Sequence, residues 1–177
     1  MDLAGAINWA IGINGASSVP LDLDQPLARW YFIKPSALVS VIQYMRDKKW
    51  MKVDKHQEIA PQLTDEQWVE VRDHFGSDNI VFVDQMHNTY VRVWPCWAHQ
   101  VRTLQPCLKA AFELINLDDI VDILRVQRLV ADAAICHWWS TDYARVQIIM
   151  HNALQCLRKI NSDAMAELMK AKKAKKA

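Results

Sequence analysis

Cysteine and histidine are the side chains of this chain that could hold a metal or act as nucleophile and base. Cys96 and His99 have the C-x₂-H spacing of half a zinc site. A closed site needs four convergent ligands, and no second pair has suitable spacing. Cys136 and His137 are adjacent, so on a helix they point about 100° apart. We therefore expect no metal and no cofactor, with buried thiols and surface histidines at Cys96, His99, Cys107, Cys136, His137, His151 and Cys156.

Nucleophilic catalysis would need a cysteine or serine beside a histidine with an orienting carboxylate. Cys136 and His137, with Asp132 and Asp142 nearby, are the nearest match. Neighbours in sequence need not converge in space, however, and no hydrolase, zinc-protease, P-loop or calcium-loop motif occurs. We therefore expect a protein that is not an enzyme. If a small enzyme of unrecognised type is the correct alternative, His137, His99 and Cys136 are the first residues to test.

Glycine is scarce beyond the N-terminal segment. The chain has 4 glycines, and only Gly76 lies outside the first fifteen residues. Phosphate-binding loops depend on glycine because the backbone must approach the ligand without a Cβ atom. This scarcity argues against a Rossmann or kinase-type nucleotide site. It also indicates few tight β-turns and favours helices joined by polar connections.

Tryptophan is the most informative residue type. There are 8 tryptophans, as many as tyrosine and phenylalanine together. Trp138 and Trp139 are adjacent, so a helix cannot place both against one core. Large aromatic side chains dominate the binding energy of many protein interfaces. We predict an interface role for Trp9, Trp30, Trp94, Trp97, Trp138 and Trp139; a second internal core face is the alternative.

The net charge of +1 conceals a basic C-terminal tail. Residues 170–177 read KAKKAKKA, and without them acidic residues outnumber basic ones. Such a tail could contact an acidic protein, nucleic-acid phosphates or anionic lipid, or it could be a solvated helix end. Its candidate contact residues are Lys170, Lys172, Lys173, Lys175 and Lys176.

Helical periodicity predicts helices at about 35–49 and 65–75. The second has a capping box formed by Thr64 and Gln67 and a stop at Gly76. The apolar, β-branched segments 80–83 and 89–94 predict a hairpin. The order helix, helix, hairpin is that of a winged helix, but the second helix is acidic, which argues against DNA binding there.

Beyond Pro95 the pattern favours helices at about 97–104, 106–115, 118–138 and 142–170. The predicted fold class is therefore mainly α, with a helical bundle in the C-terminal half and one small β-hairpin near residues 80–94. The predicted segments are an apolar N-terminal arm (1–20), a helix-helix-hairpin module (21–94), a helical bundle (95–169) and a Lys-rich tail (170–177).

The apolar arm has three possible roles: it packs into its own core, inserts into a neighbouring subunit, or lies at a membrane surface. It is too short to span a bilayer. No CxxC pair occurs among the 4 cysteines, and Asp2 stands where a secretory signal needs positive charge. We therefore expect reduced thiols in an intracellular compartment, either the cytoplasm or an organelle interior such as the mitochondrion.

These features together predict a non-catalytic structural or accessory subunit of a multiprotein assembly. Its expected partners are other protein subunits. The composition, with 51% apolar and 23% charged residues, is that of an ordinary globular chain. Two alternatives stay open: a nucleic-acid-binding module that uses the basic tail, and a small enzyme.

Overall fold

The computed structural model describes residues 5–13, 20–54, 57–59, 62–114, 123, 125, 151–152, 155–156, 158–164 and 166. The chain divides into two compact units, Met1–His137 and Trp138–Ala177. The elements of the first unit are β1 (Gly5–Gly12), β2 (Ala28–Ile33), α1 (Pro35–Asp47), β3 (Lys52–Asp54), β4 (Gln57–Ile59), α2 (Asp65–Phe75), β5 (Ile80–Gln85), β6 (Thr89–Val93), β7 (Ala98–Thr103) and β8 (Cys107–Leu114). The described residues of the second unit are helical and exposed.

Six strands form two antiparallel three-stranded sheets. Sheet A has the strand order β6-β1-β8, and sheet B has the order β5-β2-β7. The central strand of sheet A, β1, lies within the apolar N-terminal arm. Strands β3 and β4 pair separately as a short two-stranded sheet.

The two sheets are the halves of one three-stranded ribbon that is folded over on itself. Each strand of one sheet is followed along the chain by a strand of the other: β1 by β2, β5 by β6 through residues 86–88, and β7 by β8 through residues 104–106. The inner faces therefore meet and exclude water from between them. Their core consists of Ala6, Val91 and Val93 from sheet A and Trp30 and Phe32 from sheet B, surrounded by the partly buried Val81, Val83, Trp97 and Val101.

Backbone hydrogen bonds join the strand ends along the fold line. The Leu27 amide donates to the Gln85 carbonyl at 2.8 Å, and the Leu27 carbonyl accepts from the Leu104 amide at 2.8 Å. Further bonds run from Asn88 N to Ala10 O at 2.9 Å and from Ile13 N to Pro106 O at 3.0 Å. The corner thus satisfies backbone groups that a strand ending would otherwise leave unpaired.

Gln85 is a fully buried polar side chain at this fold line. Its Oε1 atom accepts from Trp30 Nε1 at 2.9 Å, on the inner face of sheet B. Its Nε2 atom donates to Asn8 O at 2.8 Å and to Thr89 O at 3.2 Å, both in sheet A. One side chain therefore hydrogen-bonds to both sheets, and its acceptor and both of its donors are used.

The outer face of sheet B is covered by helices. The Trp68 ring of α2 stacks on Tyr31 with ring centroids 5.0 Å apart and meets Phe82 edge-on. Helix α1 contacts β2 and α2, and its buried face consists of Ala37, Leu38, Val41, Ile42 and Met45. The predicted capping box of α2 is confirmed: Thr64 and Gln67 exchange side-chain-to-backbone hydrogen bonds, and the helix ends at Gly76.

The prediction of a mainly α fold is wrong. The predicted helices at 97–104 and 106–115 are strands β7 and β8, and Pro106 lies at the fold line rather than in a first helical turn. Ala, Leu, Lys and Glu favour helix in isolation. Here the pairing of every residue of β8 with β1 overrides that preference. The predicted helices at 118–138 and 142–170 fall mostly outside the described residues; residues 123 and 125 are helical, and Ile123 is buried.

The predicted hairpin near residues 80–94 is wrong in its pairing, although both of its strands exist. Strand β5 pairs with β2, and β6 pairs with β1, so the two lie in different sheets. The scarcity of glycine did not prevent this β structure. Asn88 (φ 55°) and Cys96 (φ 64°) adopt the left-handed conformation at the two turns, where glycine would be the usual residue.

The helices of the structure can be compared with the length and apolar character of a membrane span. Among the described residues, no helix combines the length and the apolar character that crossing a bilayer requires.

Replacing Gln85 with alanine is expected to lower the free energy of unfolding by about 2–4 kcal/mol, because it leaves the Trp30 indole N–H buried without an acceptor and opens a cavity. Chemical denaturation measures the loss. Gln43→Ala is the matched control, because Gln43 is exposed and bonds only to Asp47 on the same helix. It should change stability by no more than about 0.5 kcal/mol. Equal losses in the two variants would contradict the role given to Gln85.

Candidate interaction surface

The outer face of sheet A is apolar. Strand pairing places side chains of the same face directly opposite each other, and the inner face is identified by Ala6, Ala10, Val91 and Val93, which are buried. The alternate positions point outward. They form rows across the sheet: Arg92, Ile7 and Phe112; then Tyr90, Trp9 and Ala110; then Ile11 and Leu108. We call these residues, with Trp94, the outer face of sheet A.

Large side chains on this face are open to solvent. Tyr90 is 67% exposed, Phe112 60% and Leu108 57%. Ile7, Trp9 and Ile11 lie between them on the central strand and are half-buried. Single exposed apolar residues are common on protein surfaces, but several that adjoin across three strands form a patch, and such patches mark binding sites.

Arg92 is the charged residue of this face. Its guanidinium lies 3.9 Å from the centroid of the Trp94 ring, in a cation–π contact. Within the described part of the chain, no carboxylate lies within salt-bridge distance of it. Trp94 itself is 47% exposed. An aromatic ring beneath this guanidinium provides apolar area together with one positive charge.

The tryptophans predicted as interface residues fall into two groups. Trp94 and Trp9 lie on the outer face of sheet A, where the Trp9 indole donates to Asn88 Oδ1 at 3.1 Å. Trp30 is 3% exposed and Trp97 is half-buried, and both pack in the core between the sheets. Trp138, Trp139 and the five lysines of the tail lie outside the described residues.

Sequence reasoning missed Tyr90, Leu108 and Phe112. A signal was present, because Leu108, Ala110, Phe112 and Leu114 recur at the period of a strand, with Lys109 and Glu113 among the residues between them. That alternation is hidden if Pro106 is taken as the start of a helix.

The residues singled out for chemistry do not come together. Cys96 is buried at the turn before β7, whereas the His99 ring packs against Trp30 and Phe32 and its Nδ1 atom lies 3.1 Å from Trp97 O. Across the described residues, no group of three or more histidine, cysteine or acidic side chains has a geometry that could hold a metal ion. Cys136 and His137 lie outside the described residues.

A polar network joins the first turn of α2 to sheet B. The Tyr31 hydroxyl donates to Asp65 Oδ1, and Arg102 donates to Asp65 Oδ2 at 2.5 Å. Burial and the hydrogen bond to Asp65 raise the pKa of Tyr31 to about 12. The hydrogen bonds from Tyr31 and Arg102 lower the pKa of Asp65 below its ordinary value. Tyr31 is therefore a protonated donor at neutral pH and not a base.

A polar cleft of about 500 Å³ lies beside this network, between the start of α2 and β7. Gln100 in its wall accepts from Leu63 N and donates to Leu63 O, both at 2.9 Å. Because Asp65, Arg102 and Gln100 bond to groups of the same chain, they connect helix and strand. The other lining residues are Gln62, Thr64, Glu66 and Val101.

Comparison with known proteins adds no family to this description. No protein-family model matches the sequence, and no curated protein is significantly similar to it. Function is therefore inferred from the surfaces of the chain itself.

The Tyr31–Asp65 bond predicts a loss of stability at alkaline pH. The folded-state pKa of Tyr31 is about 12, above the value near 10 of an unfolded tyrosine, so its contribution is complete below pH 10 and is lost as the pH rises toward 12. Denaturant midpoints measured across this range should fall in the wild type and fall less in Tyr31→Phe. In Asp65→Asn, the pKa of Tyr31 is raised less, so the fall should be smaller and should end at lower pH.

Tyr90→Phe is the control for this measurement, because Tyr90 is exposed on the opposite sheet. It should follow the wild-type curve. Parallel curves for the wild type and Tyr31→Phe would show that Tyr31 does not set the alkaline limit.

Proposed function

We propose that this protein is a non-catalytic structural subunit of a protein assembly, and that the outer face of sheet A binds an amphipathic helix of a partner protein. The observation that carries this proposal is the exposure of Tyr90, Leu108 and Phe112, between 57% and 67%, on one continuous sheet face. A sheet that is apolar on both faces is ordinarily covered on both.

The kind of partner follows from comparison of the two sheets. In sheet B, the outer face is covered by helices of the same chain, α1 and α2. Among the described residues, sheet A has no corresponding layer. A helix with an apolar stripe can lie across the outward rows of β6, β1 and β8, just as α2 lies on Tyr31 and Phe82.

The positive charge on this face indicates that the partner helix carries an acidic residue. Arg92 is the charged residue of this face and lies beside the exposed Trp94 ring. A partner helix with an aspartate or glutamate at the margin of its apolar stripe would pair with Arg92 and cover Trp94. Such a charge contributes orientation and specificity, while the aromatic side chains contribute most of the affinity.

We also place the protein in a reducing compartment. Among the described cysteines, Cys107 and Cys156 are free thiols. Free thiols are typical of the cytosol and of reducing organelle interiors, the mitochondrial matrix among them.

Site-specific photocrosslinking in the native source tests the proposed surface. A photoreactive amino acid at position 90 should crosslink to one predominant partner protein. The same group at position 69 should not, because Val69 is 50% exposed but lies on α2. A synthetic helix from the crosslinked region of that partner then serves as the ligand in a binding titration.

Tyr90→Ser and Trp94→Ser are each expected to raise the Kd of that helix by about tenfold or more, through loss of buried aromatic area. Val69→Ser, which removes a similarly exposed apolar side chain elsewhere, should leave the Kd unchanged. The proposal fails if position 90 crosslinks to no other protein, or if all three variants weaken binding equally.

A further inference from the structure

Strand β8 forms one edge of sheet A. All eight of its residues, Cys107–Leu114, pair with β1 on one side. Within the described residues, no strand pairs with its other side. Such an edge presents a row of backbone donors and acceptors that can pair with another strand.

The charges on β8 indicate that a second copy of the same strand can pair with this edge. Lys109 and Glu113 occupy positions four residues apart in β8, opposite Ala10 and Ala6 of β1, and both positions therefore belong to the inner face of sheet A at its edge. When two copies of β8 run antiparallel with Ala111 opposite itself, Lys109 of each copy stands directly opposite Glu113 of the other. Opposite charges at directly opposed positions stabilise an antiparallel pair.

The other face of β8 is complementary in the same register. Leu108 of one copy stands opposite Leu114 of the other, and Ala110 stands opposite Phe112. Apolar positions thus stand opposite apolar positions throughout this face. A shift by two residues removes the opposition of Lys109 and Glu113, and a shift by one residue moves every side chain to the wrong face.

The other three edge strands, β5, β6 and β7, carry no pair of opposite charges on one face that a second copy could match. Strand β6 has five residues and carries Arg92 as its charge, and β5 carries Asp84, which is engaged with Arg29. On β7, His99 and Arg102 are both basic and lie on opposite faces. A lysine alone on an edge strand would oppose pairing with another strand. Because β8 also carries Glu113, the lysine of one copy has an opposite charge to face in one register.

We infer that two copies of this protein associate through antiparallel pairing of β8 about a twofold axis at Ala111, joining two copies of sheet A into one six-stranded sheet. The contact is isologous, so it closes with two copies. The ammonium of Lys109 donates to Thr103 Oγ1 of β7 at 3.1 Å, an exposed bond to a neutral group that pairing with a carboxylate would replace. The outer faces of both copies then form one continuous apolar surface, and the inference does not depend on the partner helix proposed above.

Charge-reversed variants of the purified full-length chain test this register. Lys109→Glu and Glu113→Lys should each weaken self-association by about tenfold or more in sedimentation equilibrium, because like charges then face each other twice. An equimolar mixture of the two single variants should associate like the wild type, as a heterodimer in which both pairs are opposite in sign. The double variant K109E/E113K should also recover self-association.

Recovery in the mixture is specific to this arrangement, because a merely misfolded or generally destabilised variant would not regain association by mixing. The inference is overturned if the wild type is monomeric throughout a concentration series, if the single variants associate normally, or if neither the mixture nor the double variant recovers. Tyr90→Ser should leave self-association unchanged, which separates failure of this inference from failure of the partner-helix proposal.

Crosslinking supplies a second readout. Directly opposed residues of an antiparallel pair have Cα atoms about 4.5–5.5 Å apart, within the range of a disulfide. Ala111→Cys should therefore form a covalent dimer under mild oxidation, in higher yield than the wild type. Val69→Cys, exposed on α2, is the control and should not. Equal yields from the two cysteine variants would also overturn the inference.

Discussion

The folding-over of the three-stranded ribbon is the constraint on which the rest of the first unit depends. It brings the inner faces of the two sheets together and places a polar residue, Gln85, where water is excluded. A buried amide is tolerated only when its donors and acceptor are satisfied. Gln85 meets this condition only when Trp30 of one sheet and Asn8 and Thr89 of the other are all in place. The side chain thereby specifies the geometry of the corner as well as stabilising it.

The two sheets differ in what lies on their outer faces. On sheet B, a helix stacks an indole on a buried tyrosine, and a network of Tyr31, Asp65 and Arg102 orients the first turn of that helix. The Trp68 N–H has no hydrogen-bond partner among the described residues, a cost of about 1–3 kcal/mol that the stacking on Tyr31 and the edge contact with Phe82 offset. On sheet A, aromatic and aliphatic side chains project into solvent.

This asymmetry unites the two proposals. The outer face of sheet A presents exposed apolar side chains, and the edge of β8 presents backbone groups that no described strand pairs, with a lysine and a glutamate four residues apart. Face and edge are distinct surfaces of the same sheet, so a second copy at the edge leaves the face accessible. A subunit built in this way can be duplicated and can also bind another protein, which is what a structural component of an assembly requires.

The sequence by itself determined the local features. Helix α2, its capping box and its stop at Gly76 follow from neighbouring residues, and α1 and the strands at 80–85 and 89–93 are visible from periodicity. These features are decided within a few residues along the chain, where side chains meet backbone groups directly. Residue type named Trp9 and Trp94 of the proposed surface, but it named Trp30 and Trp97, which pack in the core, equally.

Only the tertiary structure decided which strands pair. Residues 107–114 have helix-favouring side chains, and their strand conformation comes from pairing with β1, about a hundred positions away. The adjacent β5 and β6 lie in different sheets because each has a better partner in the N-terminal third of the chain. Whether a tryptophan lies in the core, as Trp30 does, or faces solvent, as Trp94 does, follows from that pairing. Local preferences amount to fractions of a kcal/mol per residue, and burial of a large side chain outweighs them.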